Sequence, residues 1–130
     1  MVIEPLGKNS LENKMWIGSR QSLKEGGDAI TFAFDALGFD HGFVILFDGA
    51  LYGYRNQCPH TGVRLDWIPG KVFDNDGQYL VCSVHGAIFE PKSGRCLAGP
   101  CVNQCLKSIP VDISGDDIFV SLLGAFGGTT

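Results

Sequence analysis

No run of apolar residues in this 130-residue chain approaches the roughly 20 needed to cross a bilayer as a helix. Met1 to Ser10 contains no apolar stretch of the kind that drives secretion. No Arg-Arg pair stands near Met1 either, so twin-arginine export is not expected. Basic residues are the minority: 10 Lys and Arg against 14 Asp and Glu, a formal charge of −4. Nucleic-acid binding would call for a basic stripe, and none is present. An anionic membrane surface is excluded on the same ground. There is no internal repeat and no low-complexity segment. No stretch longer than about ten residues keeps a helical period. Histidine is scarce, at three residues. The five cysteines are an odd number, which does not suit a secreted disulfide framework. In a reducing compartment, clustered Cys and His more often bind metal or do redox work. The expected location is the cytoplasm.

What is present is enough apolar material for a packed core: 45% of residues are hydrophobic and 11% aromatic. The length suits one domain, residues 1–130. Eighteen glycines and six prolines point to many tight turns. Trp16 and Ile17 could open a first strand, and Ala29 to Phe34 (AITFAF) reads as a second. GFVILF over 42–47 ends at Asp48-Gly49, after which 50–54 follows. Asp-Gly between two apolar runs predicts a hairpin with positive φ at both central residues. Further turn signals are Asp74 to Gly77, Pro91 to Gly94 and Ser114 to Asp117. Residues 109–113 alternate apolar and polar positions (Pro110 aside), as a half-buried strand requires. Leu122 to Thr130 ends Gly-rich and is expected to fray. The pattern is all-β: eight to ten short strands forming an antiparallel sandwich or small barrel.

Four residues carry the chemistry. Cys58 and His60 stand in Cys-Pro-His, and Cys82 and His85 in Cys-Ser-Val-His. Thiolate and imidazole are ligands for zinc and iron. A zinc finger usually groups Cys with Cys and His with His. Here each half mixes the two, and one intervening residue is tight for a single tetrahedral ion. The pairing suits a two-iron cluster, with Cys58 and Cys82 on one iron and His60 and His85 on the other.

CPHTGVRL, then CSVHGAIFEPKSGRCLAGP after a gap of twenty-one residues from His60 to Cys82, resembles a Rieske iron–sulfur protein. Gly62 and Leu65 match the family's first loop. Gly86, Phe89 and Gly94 match the second, and Gly99-Pro100 matches the loop over the cluster. The likeness covers residues 42–113. It implies an antiparallel β sandwich with a small cluster-binding subdomain, about 55–101. It also implies one 2Fe–2S cluster held by Cys58, His60, Cys82 and His85. With two thiolates and two neutral imidazoles, the couple runs from neutral to monoanion rather than from −2 to −3. That is why histidine ligation raises the potential.

Two departures bear on that potential. The Rieske proteins of cytochrome bc complexes carry a disulfide between the two loops. This chain has Val63 and Val84 at those positions. Those proteins also place hydroxyls where this chain has Ala87 and Phe89. Without these donors the reduced state is less stabilised, so a potential on the order of −150 mV and flat around neutral pH is expected. The resemblance therefore implies a Rieske ferredoxin, carrying one electron from a reductase to a terminal oxygenase. It would perform no substrate chemistry, since only His41 remains for a mononuclear iron site. Small, transient docking to redox proteins is expected, with a monomer or weak oligomer. Alternatives are a small subunit of a larger oxidoreductase, such as NAD(P)H nitrite reductase, and a structural zinc module. Cys96, Cys101 and Cys105 read as small buried hydrophobes, or as two partners of a labile disulfide and one bystander. His41 reads as a turn histidine, Arg64 as a surface residue, and Trp16 and Trp67 as core or rim. Trp67 could also shape a docking face.

Overall fold

The computed structural model describes residues 14–33, 41–59, 62–84 and 86–121. These contain ten strands and one short 3₁₀ turn, Arg20–Ser22. The strands are β1 (Lys14–Ser19), β2 (Ile30–Ala33), β3 (His41–Phe47), β4 (Ala50–Arg55) and β5 (Leu80–Val81). They continue with β6 (Ile88–Phe89), β7 (Cys96–Ala98), β8 (Ser108–Ile109), β9 (Val111–Ser114) and β10 (Asp117–Ser121). They form three antiparallel sheets, in the orders β1-β10-β9, β2-β3-β4-β8 and β5-β6-β7.

The four-stranded sheet is the middle layer. In β3, Phe43 and Ile45 face one core, shared with the small sheet and its loops. Val44, between them, faces a second core shared with β9 and β10. A strand covered on both faces must be apolar throughout, and this explains the unbroken run of 43–47. The β3–β4 hairpin turns at Asp48 and Gly49, with φ of 52° and 78°, as the sequence predicts. Both turn amides donate to the Glu25 carboxylate.

Residues 109–113 depart from the expected single strand. Pro110 has no N–H to give a ladder, and its carbonyl accepts from Ser121 N at 3.0 Å. The chain changes sheets there: β8 pairs with β4, and β9 pairs with β10. Ile109 is buried, whereas Ile113 is exposed, so the alternation does not carry through. His41 is also not in a turn. It opens β3 opposite Ala33. Trp16 lies exposed on β1 with its indole N–H on Asp117 Oδ1, so it is not core. The expectations for 1–13 and for the fraying tail, 122–130, lie outside the described residues.

Candidate metal centre

Two loops at one end of the middle layer repeat one backbone design. In the first, after β4, Cys58 N donates to Val63 O at 2.7 Å, and Gly62 N donates to Cys58 O at 2.7 Å. In the second, after β5, Cys82 N donates to Ala87 O and Gly86 N to Cys82 O, both at 2.9 Å. Offsets from the cysteine are the same in each loop, five residues and then four. Gly62 and Gly86 close these turns with φ of 79° and 73°, a region a side chain would strain. The loops are joined to each other: Ser83 N donates to Leu65 O at 2.9 Å, and Trp67 N to Ser83 Oγ at 3.3 Å.

Cys58 and Cys82 are 2% and 1% exposed and belong to one buried cluster with Leu65, Ala87, Phe89 and Cys101. A third loop, between β7 and β8, packs against the second. A Cβ on Gly99 would lie 2.8 Å from Ala87 Cα, so only glycine allows this approach. Val63 and Val84 are exposed at the two loop tips, where neither can form a disulfide.

A buried polar pair fixes the first loop, and sequence reading did not find it. Asn56 Oδ1 accepts from Leu65 N at 2.7 Å, and Asn56 Nδ2 donates to Asp66 Oδ1 at 2.9 Å. Asp66 Oδ2 accepts from Gly70 N at 2.9 Å. Arg64 is a surface residue as expected, and its Nε also donates to the buried Asp66 carboxylate at 3.3 Å. No local motif in the sequence signals Asn56, because its partners lie across the loop. Tyr54, also missed, anchors β4 to the turn after β6 through a 2.6 Å bond from its hydroxyl to Pro91 O. Burial, first of all, holds the Tyr54 phenol well above its usual range.

Of the remaining cysteines, Cys96 and Cys101 are buried and in contact, with Sγ atoms 3.0 Å apart, whereas Cys105 is exposed. Burial, then the Cys96 thiol, pushes the Cys101 thiol up to about 12. Cys58 belongs to the same buried cluster as this pair. A cavity of about 320 Å³ opens beside the first loop, lined by Arg55, Gln57, Cys58, Pro59, Cys105 and Lys107 among others. Trp67 and Ile68, on the first loop's exit, are 82% and 56% exposed.

Two of the four candidate ligands, Cys58 and Cys82, are thus placed by the structure. The other two, His60 and His85, lie outside the described residues. The donors that are described fit an iron–sulfur group in their chemistry. Two buried sulfurs arrive on equivalent loops in a water-poor pocket. Each has an imidazole two or three residues later in the sequence.

Comparison with known proteins agrees with this geometry. A family model described as Rieske [2Fe-2S] domain matches residues 13–111. The chain is 31% identical over 91 residues to the 3-phenylpropionate/cinnamic acid dioxygenase ferredoxin subunit of Escherichia coli (strain K12), covering 68% of this chain and 81% of that protein. It is 38% identical over 63 residues to the cholesterol 7-desaturase nvd of Hemicentrotus pulcherrimus. That match covers 48% of this chain but only 12% of the larger protein. Among solved structures, the ferredoxin of carbazole 1,9a-dioxygenase from Nocardioides aromaticivorans IC177 superposes with a TM-score of 0.63 at 27% identity. It covers 84% of this chain and 97% of that one.

Proposed function

The chain belongs to the Rieske 2Fe–2S domain family, and on that premise we propose that Cys58 and Cys82 bind one iron of the cluster and His60 and His85 the other. The observation that carries this assignment is the pair of matched loops. Each buries one cysteine behind a positive-φ glycine, and both cysteines belong to one buried cluster. The cluster, when bound, supplies a single-electron couple. The chain's own residues do the rest. Leu65, Ala87 and Phe89 keep water from the two sulfurs. Asn56 and Asp66 hold the first loop at the spacing the second requires.

The protein is a Rieske ferredoxin, an electron-transfer component and not a catalytic subunit. Relatives matched along most of their own length bear ferredoxin names from dioxygenase systems. It accepts one electron from a reductase and delivers it to a terminal oxygenase in the cytoplasm. The docking face is the loop end of the molecule, where Val63, Trp67, Ile68 and Val84 are exposed. A few exposed apolar side chains suit a small, transient encounter, in which speed of release matters more than affinity.

The test is anaerobic, iron-replete expression followed by iron and sulfide analysis and paramagnetic resonance of the reduced protein. Two irons and two sulfides per chain, with a signal appearing on one-electron reduction, are expected. His60→Cys and His85→Cys should each lower the potential or lose the cluster. Unchanged potential in both would remove the ligand assignment. Colourless protein with stoichiometric zinc would replace the whole reading.

A further inference from the structure

We propose that Cys96 and Cys101 form a reversible dithiol–disulfide pair that fastens the loop lying against Ala87. Three observations converge on it. The two Sγ atoms are 3.0 Å apart, inside the ordinary contact distance of two sulfurs. The backbone imposes this approach. Cys96 N donates to Gln104 O at 2.7 Å, Gln104 N to Cys101 O at 2.9 Å, and Asn103 N to Cys96 O at 3.3 Å. The segment from 96 to 104 is therefore closed on itself, with the turn at Gly99-Pro100 between the two cysteines. Finally, the pair is sealed off, at 1% and 0% exposure, while Cys105 stands exposed and apart from it.

In the dithiol state the protons have defined places. Cys96 S–H donates to Ala98 O at 3.2 Å, and Cys101 S–H donates to Cys96 Sγ. Oxidation breaks both S–H bonds and forms one S–S bond. The two electrons and two protons pass to a peroxide, whose O–O bond breaks to give two waters when it is hydrogen peroxide. A small oxidant is required, because neither sulfur offers a surface to a protein or to a bulky disulfide. A dithiol reductant reverses the change during local opening of the loop.

The consequence concerns iron, and this clause alone rests on the proposed function. Cys58, Cys82, Cys96 and Cys101 belong to one buried cluster, so the dithiol state holds two free thiols beside the two sulfurs assigned to the iron. The disulfide withdraws those two and ties down the loop, so Cys58 and Cys82 remain the thiolates offered to the iron.

The experiment uses the iron-loaded Cys105→Ser protein, which removes links between molecules. It is exposed to hydrogen peroxide, blocked with N-ethylmaleimide under denaturing conditions, digested and mapped by mass spectrometry. A loss of about 2 Da confined to a Cys96–Cys101 link, and restored by dithiothreitol, is expected. The oxidised protein should also keep its visible absorbance longer against an iron chelator than the reduced protein. Cys101→Ser should abolish that difference. Alkylation of both Cys96 and Cys101 after treatment, or a link from either one to Cys58, would overturn the proposal. A colourless preparation that still forms the Cys96–Cys101 link would support the disulfide and remove the cluster reading instead.

Discussion

At the scale of single residues, the proposed tuning of the potential rests on Ala87. It is fully buried between the second and third loops, and it carries no hydroxyl. A donor there would stabilise the added negative charge. If Ala87→Ser gains a hydrogen bond that is ~1 kcal/mol stronger in the reduced state, the potential rises by roughly 40 mV for one electron. Protein-film voltammetry of the variant checks this, and a fall in potential would contradict it. Tyr54 makes a different kind of contribution. Its phenol is held neutral by burial and donates to Pro91 O. Because the folded-state pKa is raised, this stability is fully present below the unfolded value of about 10 and is lost as pH climbs above it. Tyr54→Phe should cost ~1 kcal/mol at pH 7. The gap between the two proteins should then narrow above about pH 10, read from urea midpoints. A gap that widens with pH would have the sign wrong. At this scale the sequence shows the four candidate ligands and the missing hydroxyls directly, because both are fixed by residue type at short spacing. It does not show the Asn56–Asp66 bond, which closes across ten residues of loop. Nor does it show which two of the three remaining cysteines meet.

The elements that matter most are the three loops. The hairpin turns elsewhere are legible in the sequence, because their turn chemistry is local. Asp48-Gly49, Pro91 to Gly94 and Ser114 to Asp117 all sit between paired strands. The failures came where tertiary context decides. Pro110 splits one apparent strand between two sheets, and nothing in the alternation of Ile109, Val111 and Ile113 reveals a change of sheet. The 74–77 turn is flanked by only a single bridge, Phe73 with Leu80, and not by a full hairpin. Packing of the third loop on the second depends on Gly99, which combines φ of 101° with a 2.8 Å approach to Ala87. Gly99→Ala should therefore destabilise the holoprotein by ~1–3 kcal/mol, in both strain and lost contact. Thermal unfolding followed by circular dichroism, with cluster absorbance recorded in parallel, would show it. An unchanged midpoint in both signals would mean the third loop does not depend on that contact.

For the whole molecule, the layered arrangement separates two tasks. One core, under β9 and β10, stabilises the sandwich, and the other carries the two sulfur-bearing loops to its end. The sequence reading of an all-β sandwich with an appended metal centre stands, because strand-turn punctuation and the Cys/His spacing are both strong local signals. The exposure that the proposed docking face needs is not legible in the sequence. An aromatic residue is usually buried, and only the fold places Trp67 at 82% exposure beside the cluster loops. Trp67→Ala should slow electron delivery to a partner oxygenase by about 5- to 30-fold, equivalent to ~1–2 kcal/mol of docking energy, without moving the potential. Stopped-flow oxidation of the reduced protein measures the first, and voltammetry the second. A shift in potential with unchanged transfer rate would move Trp67 from docking to cluster tuning.

The central claim is that this fold holds a histidine-ligated 2Fe–2S cluster whose reduced state lacks hydroxyl donors. The most direct test is the midpoint potential of anaerobically purified protein, followed by voltammetry across pH. A one-electron couple on the order of −150 mV, flat around neutral pH, is the expected result. A couple several hundred millivolts higher would contradict the role given to Ala87 and Phe89, and the absence of any couple would contradict the cluster itself.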